Sequence, residues 1–204
     1  MDEMNNKQLA DMIRPRSFDE MAGQEHLFGP KGIIRRMIEG GRITNMIFFG
    51  PPGTGKTTAA SVIASQSDMM FYRLNATTAS LSDVKDIISQ TNNMFGASGI
   101  LLYLDEIQYF NRKQQQALLE YIEDGRVTLI ASTTENPYFY IYNAIISRSS
   151  LFEFKPVPPS ACVPVLRRAV KQLDEESGLS KQVDDATLLY IAKLCSGDVR
   201  HAIV

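Results

Sequence analysis

Residues 50–57 read GPPGTGKT and fit the pattern G-x-x-x-x-G-K-[ST] of phosphate-binding loops. A short apolar run, residues 45–49, precedes this loop, and a helical pattern of apolar residues, 56–65, follows it. Glycines let backbone N–H groups turn towards phosphate oxygens, and the N-terminus of the following helix adds a partial positive charge. The stretch therefore predicts a strand, a phosphate-binding loop and a helix in direct succession.

Two side chains at the end of this loop would complete a nucleotide site. Lys56 would reach the β- and γ-phosphates, and Thr57 would offer its hydroxyl to Mg²⁺. The alternative, a glycine-rich turn with a solvated lysine, is disfavoured by the complete spacing and by the flanking elements. The predicted nucleotide contacts of this stretch are Gly50, Pro51, Pro52, Gly53, Thr54, Gly55, Lys56, Thr57 and Thr58.

Apolar runs alternate with helical patterns through most of the chain, which predicts right-handed βαβ units, a parallel sheet and an α/β fold. Strands are expected at residues 45–49, 69–74, 100–104, 127–131 and 151–154. Helices are expected at residues 32–39, 56–65, 81–94, 114–123, 163–173, 185–194 and from 198 onward.

A proline-rich joint, KPVPP at residues 155–159, marks the end of the strand signal. We expect an α/β domain over residues 1–155 and the start of a helical domain over residues 156–204. The last residues, GDVRHAIV, look like the beginning of a helix and carry no C-cap or turn signal. The chain is therefore expected to be a fragment that ends inside the second domain.

Two carboxylates, Asp105 and Glu106, follow the apolar run 100–104. Such a run is typical of a strand buried on both faces, and ligands bind at the carboxyl ends of parallel strands. Both acids are therefore expected beside the phosphate-binding loop, where Asp105 would hold Mg²⁺ and Glu106 would polarise the attacking water as general base. The alternative, a solvated acidic strand end, is disfavoured by the presence of that loop.

Composition excludes several classes of protein. Of the 204 residues, 44% are hydrophobic and 22% charged, which argues against disorder. A formal net charge of −2 argues against a strongly basic nucleic-acid module as a description of the whole chain. Cys162 and Cys195 lack metal-ligand spacing and are expected to be small buried side chains of a reducing compartment. Without a secretory signal or a membrane-length apolar run, we expect a cytoplasmic protein with no membrane partner.

Longer motifs resemble a known family. GPPGTGKT together with LDE at residues 104–106 resembles the AAA+ ATPase superfamily of P-loop NTPases. RPRSFDE at residues 14–20 and GQEH at residues 23–26 resemble the clamp-loader clade. DEIQYFNRKQQQALL at residues 105–119 and STTENP at residues 132–137 resemble the replication-associated recombination protein A family (MgsA/RarA), whose eukaryotic relative is the Werner helicase-interacting protein.

The resemblance implies that residues 156–204 begin a helical lid, and it assigns three further roles. Thr134 matches the sensor-1 position, whose hydroxyl bonds the γ-phosphate or the attacking water; the alternative is a turn residue. Arg148, in a Ser-Arg-Ser run where clamp loaders have Ser-Arg-Cys, would be an arginine finger offered to a neighbouring subunit; the alternative is a solvated arginine. Arg200, in GDVR, matches the sensor-2 position and would reach the γ-phosphate in cis; the alternative is an ordinary first-turn arginine.

Other positions carry softer assignments. Asn75 ends the second predicted strand and is expected to hydrogen-bond Glu106, holding it off water until a partner binds. Gln108 stands where this family more often has His, and no function is assigned to it. The resemblance places adenine and ribose contacts at Arg14, Pro15, Ala22, Gly23 and Gln24.

An aromatic segment follows the STTENP motif, with Tyr138, Phe139, Tyr140 and Tyr142 close together. Aromatic side chains can stack on nucleic-acid bases. No basic residues interleave with these four, so packing in the core or against another subunit is favoured.

The resemblance implies a DNA-dependent AAA+ ATPase that acts in replication-fork maintenance, recombination and DNA repair and hydrolyses ATP with Mg²⁺ at subunit interfaces. It also implies partners: forked or junction DNA, single-strand-binding protein, replisome components and further copies of the chain in a tetramer, in a nucleoid-associated location. The alternatives are a Holliday-junction-type branch-migration motor, a protein remodeller and a nucleotide-gated adaptor. A remodeller is disfavoured because residues 76–82, ATTASLS, lack an aromatic pore loop, and an adaptor is disfavoured by the presence of Glu106 and Arg148.

Overall fold

The computed structural model describes residues 9–91, 99–178 and 182–203, and its centre is a five-stranded sheet. All neighbouring strands pair in parallel, in the order β2-β3-β4-β1-β5, which confirms the predicted fold class. The strands are β1 (Met46–Phe49), β2 (Met70–Asn75), β3 (Ile100–Asp105), β4 (Val127–Thr133) and β5 (Ser150–Glu153).

Helices cover both faces of this sheet, which is why the central strands read as continuous apolar runs. The side chains of Leu101, Leu102, Tyr103 and Leu104 in β3 are at most 1% exposed, although they point alternately to opposite faces. Two separate hydrophobic clusters result, one on each face of the sheet.

The helices are α1 (Glu25–Phe28), α2 (Ile33–Glu39), α3 (Lys56–Ser65), α4 (Leu81–Thr91), α5 (Arg112–Glu123), α6 (Pro137–Tyr140), α7 (Asn143–Ile146), α8 (Pro159–Ser177), α9 (Asp185–Leu194) and α10 (Val199–Ile203). The short helices α1, α6 and α7 were not predicted, because four residues are too few to show helical periodicity. The last predicted residues of the helix at 81–94 lie outside the described residues.

Two helices begin earlier than expected. Helix α5 begins at Arg112 because Asn111 and Gln114 form a capping box: the Asn111 side chain accepts from the Gln114 N–H, and the Gln114 side chain accepts from the Asn111 N–H. Helix α8 begins at Pro159, since proline is tolerated in the first helical turn, where its missing N–H has no helical partner.

The topology opens a crevice at the carboxyl edge of the sheet. The chain leaves β1, which lies between β4 and β5, and returns as β2 at the far edge, so the strand order reverses here. The loop 50–55 follows β1, residues 105–106 end β3, and residue 134 follows β4, so all three stretches meet at this edge.

Val157 of the proline-rich joint forms a hydrophobic cluster with residues that follow the joint, among them Leu166 and Leu188. Placing the domain boundary at this joint stays a prediction. The helical part nevertheless touches the phosphate-binding loop directly, because the Val199 N–H donates to the Gly53 carbonyl over 3.1 Å. A Cβ atom at Gly53, where φ is +66°, would lie 1.8 Å from a carboxylate oxygen of Asp198, so only glycine fits this contact.

Candidate active site

The phosphate-binding loop holds a buried cation. Lys56 is 7% exposed, and its ammonium donates to the carbonyl oxygens of Gly50 and Pro51, each over 2.7 Å. Burial lowers the pKa of Lys56, and the negative charges of Glu106 and Asp105 oppose that change. Phosphate oxygens are acceptors that can replace the two carbonyls, so this lysine is placed to bind an anion.

A buried phenol joins the loop to the acidic pair. The Tyr103 hydroxyl lies 3.1 Å from the Thr57 hydroxyl, 3.0 Å from a carboxylate oxygen of Asp105 and 2.9 Å from the Ser132 hydroxyl. Burial raises the pKa of Tyr103 well above its ordinary value, so the phenol keeps its proton. Ser132 also bonds the Asp105 carboxylate. A consistent chain of donors runs from Thr57 to Tyr103, from Tyr103 to Ser132 and from Ser132 to Asp105.

Glu106 lies beside Asp105 in a left-handed backbone conformation, with φ of 55°. Its N–H donates to the Ser132 hydroxyl over 3.4 Å. The side-chain contact with Asn75 expected from the sequence is not formed; the Asn75 side-chain oxygen accepts from the N–H and hydroxyl of Thr77. The side-chain amide of Gln108 donates to the Glu106 carboxylate instead, over 2.5 Å.

Two adjacent threonines end β4 and differ in their surroundings. Thr133 is fully buried, and its hydroxyl accepts from the N–H of Glu135, which is the turn contact considered above for Thr134. Thr134 itself is exposed and lines the cleft. Its hydroxyl is therefore available to a ligand in the cleft.

These groups line one cleft of about 180 Å³ between the sheet edge, the N-terminal segment and the helical part. Predicted residues on its wall are Arg14, Pro15, Ala22, Pro52, Gly53, Thr54, Gly55, Lys56, Thr57, Thr58, Asp105, Glu106, Thr134 and Arg200. Predicted residues that do not line it are Gly23, Gln24, Gly50, Pro51 and Arg148.

Another part of the cleft lining is apolar, and no sequence pattern predicted it. It is formed by Ala10, Ile13, Met21, Val165, Val199 and Ile203, which come from the N-terminal segment, α8 and α10. Apolar lining of this kind suits an aromatic ring, and we refer to these residues as the apolar slot. No shared motif marks these residues, although Val199 lies in GDVR, because they meet only when distant segments pack together.

Gln24 has a structural contact where a nucleotide contact was expected. It is 5% exposed, its amide donates to the Lys155 carbonyl over 2.6 Å, and its carbonyl oxygen accepts from the Lys155 N–H over 3.0 Å. Gly23 likewise faces Val157 rather than the cleft. These two residues therefore join the N-terminal segment to the chain after β5.

Two other predicted cations reach the cleft. Arg200, near the start of α10, lies close enough to Lys56 for its charge to lower the pKa of that lysine. It has no ion-pair partner among the residues that the structure describes. Arg14 is paired with Asp11 over 2.6 Å. Arg200 is thus the better placed of the two to bind an anionic ligand.

Arg148 does not line the cleft of its own chain, and its role as an arginine finger stays a prediction. Its guanidinium is held by Glu123 over 2.6 Å and by the Ala144 carbonyl over 3.0 Å. The backbone is fixed as well, because Asn45 donates to the Arg148 carbonyl and accepts from the Leu129 N–H. The side chain is still 44% exposed.

The aromatic segment is a surface feature. Tyr138, Phe139 and Tyr140 are 65%, 81% and 51% exposed, so of the two expected settings the core of this chain does not apply to them. Tyr142 is partly buried, with the guanidinium of Arg112 over its ring. Packing against another subunit stays a prediction.

Within residues 9–91, 99–178 and 182–203, no three His, Cys, Asp or Glu side chains group into a metal site. No helix in this part of the chain has the length and apolar character needed to cross a membrane.

The chain is similar to known proteins over nearly its whole length. Residues 46–157 match the ATPase family associated with various cellular activities (AAA). The chain is 38% identical over 200 residues to replication-associated recombination protein A of Bacillus subtilis. The alignment covers 97% of this chain and 46% of that protein. It is 32% identical over 197 residues to the ATPase WRNIP1 of Dictyostelium discoideum. That alignment covers 96% of this chain and 22% of that protein.

Among solved structures, the Thermotoga maritima RuvB Holliday junction branch migration motor matches with a TM-score of 0.75 at 26% identity. The match covers 94% of this chain and 63% of that one. The chain thus spans less than half the length of either curated relative. The resemblance predicted from the motifs is confirmed by these similarities.

Proposed function

Because the chain belongs to the AAA family of ATPases, we propose that its cleft binds ATP with Mg²⁺ and hydrolyses it. The observation that carries the proposal is one cleft lined by Lys56, Thr57, Asp105 and Glu106. Phosphates would bind the loop 50–57, and adenine would lie in the apolar slot between the N-terminal segment and α10.

The residues present suit Mg²⁺. The Thr57 hydroxyl and the Asp105 carboxylate are oxygen donors of the kind that Mg²⁺ prefers, and Tyr103 bridges them with contacts of 3.1 and 3.0 Å. Thr57 and Asp105 would therefore hold the ion. When bound, it would neutralise charge on the phosphates.

Replacement of Tyr103 by phenylalanine tests this bridge, because the ring stays and only the hydroxyl is lost. We expect the free energy of unfolding to fall by about 1–3 kcal/mol, and the Mg²⁺ concentration for half-maximal nucleotide binding to rise by about tenfold or more. Thermal unfolding and Mg²⁺ titrations of a bound fluorescent ATP analogue measure both. Tyr190→Phe, on the exposed face of α9, is the matched control. An unchanged Mg²⁺ requirement in Tyr103→Phe would contradict the bridging role.

The side chains divide the remaining work by their positions. Lys56 binds phosphate oxygens, and Glu106 accepts a proton from the water that attacks the γ-phosphate. The exposed hydroxyl of Thr134 orients that water or the γ-phosphate. Arg200 approaches the same phosphate from the helical part, and Arg148 serves the site of a neighbouring copy.

Replacement of Lys56 by alanine is expected to weaken ATP binding by more than about tenfold, because a buried charge-assisted contact to phosphate is lost. Titration with a fluorescent ATP analogue measures this affinity. Lys171→Ala, an exposed lysine of α8, provides the control. Wild-type affinity in Lys56→Ala would remove this lysine from the site.

We further propose that the protein uses this hydrolysis on DNA, in the maintenance of replication forks, recombination and repair. The similarity to replication-associated recombination protein A over 97% of the chain supports this role. The proposal includes a homo-oligomer, a tetramer in the family, in which Arg148 reaches the next subunit. It also includes single-strand-binding protein and replisome components as partners, in a nucleoid-associated cytoplasmic location.

The test is steady-state ATP hydrolysis by the full-length protein with and without DNA that carries a single-strand/double-strand junction. Strong stimulation by junctions, and weaker stimulation by blunt duplex, is expected. Basal hydrolysis that no fork, gap or end stimulates would contradict action on DNA while leaving the ATPase intact.

A branch-migration motor is the second candidate, and the similarity to RuvB favours it. Preferential stimulation by a four-way junction, with strand exchange of that junction, would support this candidate over fork maintenance. A protein remodeller lacks a comparable observation, since the turn after β2 presents the small residues Thr77 and Thr78 to solvent.

A further inference from the structure

We propose that Gln108 is a positioning residue that restrains Glu106 and so limits ATP hydrolysis until ligand or partner binding releases it. The inference rests on the proposed function, because it concerns the residue that would activate water. Its basis is the hydrogen bond from the Gln108 side-chain amide to a carboxylate oxygen of Glu106, over 2.5 Å. This bond takes up one of the roughly four lone-pair positions of the carboxylate and holds the side chain in one direction.

The backbone explains why these two side chains meet. Glu106 adopts a left-handed conformation and precedes a 3-10 helix, Ile107–Tyr109. The Tyr109 N–H closes this turn on the Glu106 carbonyl over 3.0 Å, and Ile107 is fully buried and anchors it. The turn brings the side chain of Gln108 back to that of Glu106, two residues earlier.

Within the described part of the chain, the Glu106 carboxylate accepts a side-chain hydrogen bond from Gln108 and from no other residue. Asn75 is bonded to Thr77. Lys56 attracts Glu106 through its positive charge, while its ammonium group donates hydrogen bonds to the carbonyl oxygens of Gly50 and Pro51. The direction of the Glu106 side chain is therefore set by Gln108.

A second observation indicates that this contact can be released. The Gln108 side-chain oxygen is buried and has no hydrogen-bond partner. Turning the amide over would bring that oxygen against the carboxylate, so the present orientation is required by Glu106. A charge-assisted hydrogen bond favours the contact, while the buried unpaired acceptor opposes it in part. The contact is therefore weaker than a charge-assisted hydrogen bond between fully paired groups, as a releasable restraint requires.

Replacement of Gln108 by methionine removes the donor and the unpaired acceptor but keeps the length of the side chain. We expect kcat without DNA to rise by about tenfold, near the lower end of what one charge-assisted hydrogen bond contributes, because the unpaired acceptor is removed with it. KM for ATP should be unchanged. Stimulation by junction DNA should shrink by the same factor, because the restraint is already absent. Unchanged or lower basal kcat would overturn the proposal.

Two further variants separate this role from a structural one. Gln172→Met removes another Gln-to-Glu hydrogen bond, that to Glu176 on α8, and should leave kcat unchanged. Gln108→Asn keeps the amide but is too short to reach Glu106, so it should raise kcat like methionine. It also decides the question if the methionine variant fails to fold.

The Glu106→Gln background distinguishes the two proposals. In that background, Gln108→Met should have no further effect on the residual rate, because Gln108 acts through the carboxylate. If Glu106→Gln alone hydrolyses ATP normally, the proposed role of Glu106 fails. If Glu106→Gln is inactive but Gln108→Met leaves kcat at the wild-type value, only the restraint fails.

Discussion

Replacement of Arg148 by alanine is expected to lower ATP hydrolysis by about three orders of magnitude or more, while ATP binding stays intact. Arg148 does not line its own cleft, so its loss leaves the binding residues of that cleft in place. It is 44% exposed and is held within its own chain by Glu123 and the Ala144 carbonyl. Steady-state hydrolysis and nucleotide titration of the full-length protein measure the two effects separately.

Mixing variants tests whether Arg148 acts between subunits. Arg148→Ala has an intact nucleotide site, and Lys56→Ala has an intact Arg148, so mixed oligomers should regain part of the activity that neither variant has alone. Arg167→Ala, which removes an exposed ion-paired arginine of α8, should behave like the parent. Equal hydrolysis by Arg148→Ala and the parent would end the assignment of Arg148 as an arginine finger.

Replacement of Glu106 by glutamine is expected to reduce kcat by about 10²–10⁴-fold, the usual contribution of a positioned general base. Glutamine has nearly the same shape but cannot accept the proton of the attacking water. ATP should still bind, because Lys56, Thr57 and the loop 50–55 are unchanged. Single-turnover hydrolysis reports the chemical step without a contribution from product release.

The matched control for this variant is Glu120→Gln, an exposed carboxylate of α5. It should leave both kcat and ATP affinity at the parent values. A Glu106→Gln variant that keeps wild-type single-turnover rates would show that another group activates the water. A variant that loses ATP binding would instead place Glu106 among the phosphate contacts.

The elements that the sequence predicted well depend on local patterns. All five strands were predicted within two residues of their ends, since a strand buried on both faces must be a continuous apolar run. The start of α3 at Lys56 was also correct, because the glycines of the loop and the helical periodicity adjoin there. The starts of α5 and α8 were missed by two and four residues, where capping and proline geometry decide the boundary.

Contacts between distant segments were not predictable in this way. The apolar slot joins Ile13, Val165 and Ile203, three residues with no shared motif. Gln24 lies in a conspicuous motif, yet its side chain bonds Lys155 because burial forces its amide to find backbone partners. The motifs therefore predicted which region of the chain forms the site, but they did not predict which atoms each motif residue contacts.

The sequence by itself determined the phosphate-binding loop, the acidic pair and the parallel sheet that brings them together, because each follows from spacing along a few residues of chain. Only the tertiary structure decided that Tyr103 bridges Thr57 and Asp105, and that Gln108 rather than Asn75 bonds Glu106. Hydrogen bonds of side chains depend on distances of a few tenths of an ångström and on local backbone conformation. These distances and conformations are established only in the folded chain, so the order of the residues alone did not predict them.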